Sequence, residues 1–422
     1  MLFQIGYGQN VLTLEGATTQ TLNNNFGIKI AKQNVAIAKN NTDRSLLGYN
    51  PTVNLNGGVN SNLGGSNQKF FNGNENTVSN ALSLGGNASL DAAYTLFDQS
   101  RSANLDQLQE QVNQASLQVR QSVETNVLQL IGSYYEIARL SRTLTLLEQT
   151  LSVSRERIER SQYQYEYGQG LKVNVLNAEV DLQRDSVNIV NTALQLTNAK
   201  RNLNVIMGTE LNSLFEVDTQ VNYGVFDIDD LENSMLSNNI DLLINEKENL
   251  INDLNLDIIE SERVPRISAV GSYGINLQRN PSGAFITNSS SRGLNIGLNL
   301  NWNILDGGVR KTRTQIVELN KQTIQLDREQ LVIQLRRDLY NTWENYQTAL
   351  FIIQTERVNV QTAELNFEQT EERYALGQLT SVDFRQAQVN LLNAQISLNN
   401  ARYDAKAIEA SLLQLAGRLL AN

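Results

Sequence analysis

The chain contains neither histidine nor cysteine. Imidazole bases, thiolate nucleophiles, disulfides and almost every zinc or haem site are therefore excluded together. What chemistry remains must come from carboxylates, hydroxyls and tyrosines, and three groupings of them stand out. Asp383 follows Thr380 and Ser381 at the spacing of a helix start, with a hydroxyl as cap and a carboxylate in the first turn. Asp227, Asp229 and Asp230 would suit a cation or, more simply, begin a helix. Tyr163, Tyr165 and Tyr167 form an aromatic cluster that core or groove packing explains without a ligand. The chain carries no phosphate-binding loop, metal motif or nucleophile elbow. An enzyme is not expected, and neither is a cofactor or a metal.

The elements that must position these residues are written twice. Gly168-Gln169 is followed by Val173, Ala178, Val180, Leu182, Leu203 and Gly208. At a constant offset of 209, Gly377-Gln378 is followed by Val382, Ala387, Val389, Leu391, Leu412 and Gly417. Upstream, Leu22, Asn24-Asn25 and Pro51 answer to Leu236, Asn238-Asn239 and Pro265 at an offset of 214. A repeat of this length is half of a pseudo-symmetric protomer rather than a solenoid unit.

Composition narrows the class. Only three prolines occur in 422 residues, which favours long continuous elements over several linked domains. A net charge of -10 opposes nucleic-acid phosphate, so nucleic acid is not expected as a partner. No apolar run approaches the roughly 18 to 20 residues of a membrane-spanning helix, so any crossing of a bilayer must use strands. Residues 1–10 lack a basic leader and an apolar core, and no intact signal peptide is read there. Without cysteine, no lipid can be attached to a thiol of this chain.

Four segments alternate with a period of two. Leu84, Gly86, Ala88, Leu90, Ala92, Tyr94 and Leu96 alternate with polar residues such as Asn87, Ser89 and Asp91. In the second half Leu294, Ile296, Leu298, Leu300, Trp302 and Ile304 alternate with Asn295, Gly297, Asn299, Asn301 and Asn303. Partner strands begin after Pro51 and Pro265, giving hairpins at about 52–97 and 266–305. Their Gly, Ser and Asn-rich loops, near residues 60–80 and 278–292, are expected to be mobile. The segments from about Gln99 to Tyr167 and Gly308 to Leu376 are nearly free of glycine and proline. As helices, each would run to roughly 100 Å. The returning helix carries a heptad seam through Ala387, Leu391, Ala394, Leu398, Ala401, Ala405, Ile408, Leu412 and Leu415. Its counterpart in the first half is interrupted by Asp185 and Thr192. Shorter helices are expected over about 14–47 and 228–263. The first repeat thus covers 1–208, with a helical tip at 168–171. A connection follows at 209–227, and the second repeat covers 228–422, with a tip at 377–381.

The fold class that follows is an α+β membrane protein with long antiparallel helical hairpins. Strands of about ten residues with one wet face match a bilayer barrel, yet four strands cannot close one. Three copies would give twelve strands and twelve long helices, so a homotrimer serves both halves. Tyr94, Phe97 and Trp302 fall near strand ends, where amphipathic aromatics favour the lipid headgroup level. Ordinary burial is the competing reading of each.

In its whole-chain order the sequence resembles the TolC-like outer-membrane efflux proteins. The resemblance rests on the short helix before Pro51, the Leu96-Phe97-Asp98 passage, the long hairpin with a glycine tip, and the repetition of all three ending at Gly417. It implies a trimeric tunnel with a twelve-strand β-barrel in the outer membrane and an α-barrel reaching into the periplasm of a Gram-negative-type envelope. Its implied partners are a periplasmic adaptor, an inner-membrane transporter and outer-membrane lipid, and its implied work is tripartite efflux or type I secretion. By the same resemblance Tyr374 stands at a gating tyrosine and Asp383 at an entrance carboxylate, which three copies would arrange as a cation-attracting ring. The chain departs from the family at Leu379, where a gate arginine would stand. It departs again at Gln386 and Asn174, where further acids would stand, so closure is expected to rest on apolar contact or single hydrogen bonds. Gly168, Leu171, Gly377, Leu379, Thr380 and Ser381 are candidates for docking an adaptor, the glycines being equally accounted for by turn geometry. A pore-less structural or adhesive coiled-coil protein is the alternative function.

Overall fold

The computed structural model of the protein describes residues 11–420 other than Gly283 and Phe285, together with their side chains apart from that of Ser66. The region 1–10, read above for a leader, lies outside the described residues. Elements run in the order β1 (Val11–Leu12), α1 (Leu14–Asn24), α2 (Phe26–Asn41), β2 (Thr52–Lys69), β3 (Glu75–Phe97), α3 (Ser100–Glu166) and α4 (Lys172–Met207). The second half follows with β4 (Glu216–Val217), α5 (Ile228–Asn238), α6 (Ile240–Ser261), β5 (Arg266–Arg279), β6 (Asn288–Asn301), α7 (Val309–Ala375) and α8 (Ser381–Leu415). The same succession of element types thus occurs twice. No helix is long and apolar enough to cross a membrane, among the described residues.

The chain divides into two compact units, each drawing on both halves. One comprises Met1–Val35, Ala115–Glu246 and Leu326–Asn422, the other Ala36–Gln114 and Lys247–Gln325. The first unit is helical apart from the parallel pairing of β1 with β4. Its core is built by corresponding helices of each half. Ala17, Leu130, Ile137, Leu203 and Met207 join α1, α3 and α4, while Leu231, Met235, Leu339, Leu412 and Ala416 join α5, α7 and α8. A buried tyrosine anchors the connecting backbone in each. The Tyr134 hydroxyl donates to Leu12 O at 2.8 Å, and that of Tyr346 donates to Gly224 O at 2.8 Å. A hydroxyl held in an apolar cluster needs such a partner, because leaving it unpaired costs about 1–3 kcal/mol.

Each expected short helix is in fact two, divided at an asparagine. Asn25 and Asn239 leave helical geometry, with ψ of 129° and 128°. Their side-chain oxygens then accept the first amides of the next helix, from Ile28 at 3.1 Å and from Asp241 at 3.0 Å. The amide nitrogens reach across to the end of the long helix of the same half, Asn25 Nδ2 to Ile206 O at 2.8 Å and Asn239 Nδ2 to Leu415 O at 3.1 Å. An asparagine alone carries both the acceptor and the donor for this double role. The neighbouring glycines complete the junction. Gly208 and Gly417 hold φ of +66° and +69°, and a Cβ on them would lie 2.5 Å from Asn24 O and 2.6 Å from Asn238 O. The repeated Asn and Gly pairs of the sequence are therefore two copies of one helix junction. Arg120 fastens the second copy, donating from Nη2 to Asn238 O at 3.0 Å and to Gly417 O at 3.3 Å.

The second unit holds a four-stranded antiparallel sheet in the order β2-β3-β5-β6. Register carries the alternation across all four strands. Leu55, Leu90, Tyr273 and Leu294 form one rung, and Asn54, Asp91, Ser272 and Asn295 another on the opposite face. A bulge between Thr95 and Phe97 brings Phe97 opposite Ile267 on the apolar face. Leu55, Val59, Ile296 and Leu298 on that face are exposed, as are Tyr94, Phe97 and Trp302. The Trp302 indole donates to Arg263 O at 3.0 Å.

The hairpin loops differ from expectation. The strands continue through the Gly, Ser and Asn-rich stretches, so that Lys69 still pairs with Glu75 and Arg279 with Asn288. Backbone pairing needs no apolar side chain, and an irregularity between Gly64 and Ser66 absorbs the mismatch in length. At the other end, the Leu-Phe-Asp and Leu-Asp-Gly-Gly passages place Asp98 and Asp306 before the long helices. Asp98 accepts the Ser100 amide at 3.0 Å, and Asp306 those of Gly308 and Arg310, both at 3.0 Å.

Replacement of Gly417 by alanine is expected to destabilise the protein by more than about 1 kcal/mol, through left-handed strain and a clash with backbone. Replacement of Gly132, which has open space around its Cβ position and lies inside α3, is expected to be neutral or stabilising. Urea unfolding followed by helical circular dichroism checks both.

Candidate functional site at the two helical tips

Both long hairpins turn on a glycine that closes the first helix in a left-handed conformation, Gly168 at φ +72° and Gly377 at φ +73°. The amide after each returns to the carbonyl five residues back, Gln169 N to Gln164 O at 2.7 Å and Gln378 N to Arg373 O at 2.9 Å. This is the hydrogen-bond pattern of a Schellman ending, in which glycine avoids the steric cost of positive φ. The two turns then diverge. Leu171 begins α4 without a side-chain cap. Thr380 begins α8 with a full capping box: its Oγ1 accepts the Asp383 amide at 3.2 Å, while Asp383 Oδ2 accepts the Thr380 amide at 3.1 Å and hydroxyl at 2.6 Å. Bonds from the Thr380 side chain, then its backbone, hold the Asp383 carboxyl below the usual carboxylate range. The carboxylate itself remains exposed.

Tyr374 is buried, stacked on Phe384 at 4.7 Å between ring centroids. The Arg160 guanidinium lies 5.1 Å from its ring and also donates to Ala375 O at 2.5 Å, fastening α3 to the end of α7. The Tyr374 hydroxyl has no partner among the described residues. Gln386 is exposed and donates to Asn390 at 2.8 Å, and Asn174 is half-buried in the first turn of α4. Among the docking candidates Gly168, Leu171, Gly377 and Thr380 are exposed and Leu379 is half-buried. Ser381 departs from that reading: its side chain is buried beneath the turn, so it is not surface. Tyr167, Leu376 and Val382 add exposed apolar area around the tips.

The tyrosine cluster also departs from expectation. Tyr163, Tyr165 and Tyr167 are all exposed rather than packed; Tyr163 and Tyr165 diverge by about 200° around α3, so no one face could bury both, and Tyr167 lies past the helix end. Tyr165 instead carries the Lys172 ammonium 5.3 Å from its ring. The acidic triplet is a helix start: Asp227 caps α5 through the Asp229 and Asp230 amides, and Asp230 pairs with Arg418 at 2.7 Å.

Sequence reasoning missed a buried ionic network that begins one turn into α8. Arg385 donates from Nη2 to Asp185 Oδ1 at 2.6 Å and from Nη1 to Oδ2 at 2.8 Å, a two-pronged pair joining α8 to α4. Ser154 of α3 donates to the same carboxylate at 2.7 Å. Gln388 accepts from Arg385 at 2.9 Å and donates to Thr150 O at 2.9 Å. Beside it, Arg157 donates to Asp181 at 2.7 Å. These charges tie the two hairpins within one protomer, and they lie on residues other than Leu379, Gln386 and Asn174. The available signal was Asp185 itself, since a carboxylate in a coiled-coil seam must find a cation to be buried at all.

The family model described as outer membrane efflux protein matches residues 17–209 and 233–418. "Outer membrane protein TolC" of Vibrio cholerae is 23% identical over 335 residues, covering 79% of this chain and 76% of that protein. "Outer membrane efflux protein BepC" of Brucella suis is 22% identical, covering 97% of this chain and 86% of that one. Among solved structures, the CmeC outer membrane channel of Campylobacter jejuni superposes with a TM-score of 0.74 at 16% identity, over 96% of this chain and 86% of that chain. The outer membrane protein VceC of Vibrio cholerae gives 0.70 at 15% identity, over 96% of both chains.

Two outcomes are expected at the tips. Asp185→Ala strands the buried Arg385 and is expected to cost about 3–5 kcal/mol in urea unfolding, most of which the Asp185→Leu, Arg385→Met double variant recovers. Because the Asp383 carboxyl is depressed on folding, its capping contribution is complete above the ordinary carboxylate value and lost as pH falls through the lower folded one. Hydrogen exchange at the Asp383 amide is expected to hold its protection down to about pH 4 and to lose it below.

Proposed function

Because the chain belongs to the outer membrane efflux protein family, we propose that it is a trimeric channel-tunnel of the outer membrane. In this reading it is the exit duct through which small molecules or proteins leave, driven by an inner-membrane transporter joined through a periplasmic adaptor. The observation that carries the reading is the open sheet. β2 and β6 lie at its two edges, and nearly all of its exposed large apolar residues, Val270 apart, share one face. In lipid, unpaired edge groups cost several kcal/mol each, so the edges require strands from other copies. The β2 and β6 edges differ, so their contact is head-to-tail, the type of contact that makes a ring where the rotation between copies closes. Strand direction alternates through β2, β3, β5 and β6, and the next copy's β2 continues the alternation. Three copies give twelve strands, and the apolar face then meets lipid while Asn54, Asp91, Ser272 and Asn295 face a wet lumen.

The helices support the same assembly. On α4 Val173, Leu176, Val180, Val187, Val190 and Leu194 are exposed at three and four-residue steps with one seven-residue gap between Val180 and Val187, a coiled-coil seam without a partner in one chain. On α7 Phe351, Val358 and Leu365 recur every seven residues and are exposed too. Packed between copies, these seams make the wall of an α-barrel in the periplasm.

At its entrance, three Asp383 carboxylates form a cation-attracting ring, with Gln386 and Asn174 beside them and Tyr374 buried behind. Opening parts α7–α8 from α3–α4, which breaks the Asp185 to Arg385 pair and slides Arg160 from Tyr374. Gly168, Leu171, Gly377, Leu379 and Thr380, with the exposed Leu376 and Val382, present the surface onto which an adaptor docks. Tyr94, Phe97 and Trp302 mark the lipid headgroup level of the barrel.

Detergent-extracted protein is expected to insert into planar bilayers and give discrete conductance steps. A protein that never inserts and runs as a soluble rod ends the reading. Asp383→Asn is expected to lower cation selectivity and relieve block by polyvalent cations. Val180→Asp with Val187→Asp is expected to shift the protein from trimer to monomer in light scattering.

A further inference from the structure

Where all four strands are paired, the apolar face of the sheet carries charge at only two positions, and both are arginine; Lys69 and its partner Glu75 lie further out, where only β2 and β3 pair. Arg279 pairs with Leu84 and with Asn288, and Arg292 pairs with Ile275, so both share the face of Leu55, Tyr273 and Ile296. Both are exposed, and neither guanidinium has a partner among the described residues. Their positions are regular. Tyr94 pairs with Ala269, and Arg279 lies ten residues further along β5. Trp302 continues the alternation of β6, and Arg292 lies ten residues back along it. Ten residues at about 3.3 Å each, tilted by about 45°, rise roughly 23 Å, against an apolar band about 25 Å tall. The stagger agrees as well. Asn301 pairs with Arg266, so Trp302 stands four residues from the level of Tyr94, and Arg292 stands four from Arg279. A parallel offset of both rows is what a tilted strand array produces.

From this placement we infer that Arg279 and Arg292 form a binding site for the phosphate groups of a glycolipid in the outer leaflet. The inference rests on the membrane-barrel reading above. One margin of the lipid-facing band, beside the helices, is aromatic, and the opposite margin, beside the hairpin loops, is cationic. Arginine suits that second margin. Its stem lies along apolar surface while its planar fork binds phosphate by two parallel bonds. The chain's net charge of -10 makes this pair of arginines a local feature, opposite in sign to the whole, and the Lys69 to Glu75 pair beyond it is neutral overall.

The probe is diphosphoryl lipid A, compared with its fully dephosphorylated form, added to the detergent-extracted full chain. Thermal unfolding is followed by tryptophan fluorescence. The diphosphoryl form is expected to raise the midpoint by several degrees and the dephosphorylated form to raise it far less. Arg279→Ser with Arg292→Ser is expected to bind the diphosphoryl form at least about tenfold more weakly, and Arg279→Lys with Arg292→Lys to retain part of the effect. Equal stabilisation by both lipids, or unchanged binding by the serine variant, overturns the inference. Planar-bilayer conductance separates the two levels of argument. Wild-type channels that conduct yet ignore lipid phosphate sink this site alone, whereas wild-type protein that never conducts removes the barrel and the site with it.

Discussion

The rest of this structure depends on backbone groups that one copy of the chain cannot satisfy. The sheet has two open edges, β2 and β6, and turns Leu55, Val59, Ile296 and Leu298 outward on one face. An open apolar sheet in water is a template for aggregation, and an open edge in lipid is still more costly. Both faults are removed by closing the sheet with further copies in a bilayer. The same incompleteness recurs on α4 and α7, whose exposed apolar residues follow coiled-coil spacing. These unpaired edges and exposed seams are the features on which the proposed assembly of copies rests.

Against that external incompleteness stand internal junctions that are over-determined. Asn25 and Asn239 each end one helix, start another and hold the end of a third, while Gly208 and Gly417 let the backbones meet. These joints sit where long helices return to their own half. The tips lie at the far ends of the same hairpins. There the chain uses charge. The Arg385 to Asp185 pair is buried and bidentate, so breaking it exposes or strands two ions together. Such a tie is stabilising only while both partners stay together.

Much of the fold was legible because it is periodic. Alternation at 84–96 and 294–302 placed β3 and β6, and the absence of proline over 99–167 and 308–376 placed α3 and α7 within a residue or so. The repeated Asn24-Asn25 and Asn238-Asn239 were visible as a correspondence, but their work was not, since an asparagine that breaks a helix looks locally like one that continues it. The glycine and serine-rich stretches near 60–80 and 278–292 read as loops because composition reports side chains, whereas the strands there are held by backbone pairing. At the tips, Thr380 and Asp383 were readable as cap and first-turn acid, a local relation. Arg385 and Asp185 were not, being 200 residues apart in the chain.

What the sequence determined by itself is everything set by neighbours along the chain: strand and helix periods, caps, glycine turns, the duplication, and the exclusion of imidazole and thiol chemistry. What only the tertiary structure decided is which residues meet across elements. Register brought Tyr94, Trp302, Arg279 and Arg292 onto one face, helix packing buried Ser381 and Tyr374, and the approach of α8 to α4 found Asp185 its cation. The physical reason is one of range. Backbone geometry acts over three or four residues, while burial and ion pairing act through space over a few ångströms, between positions whose separation in sequence carries no information about their contact.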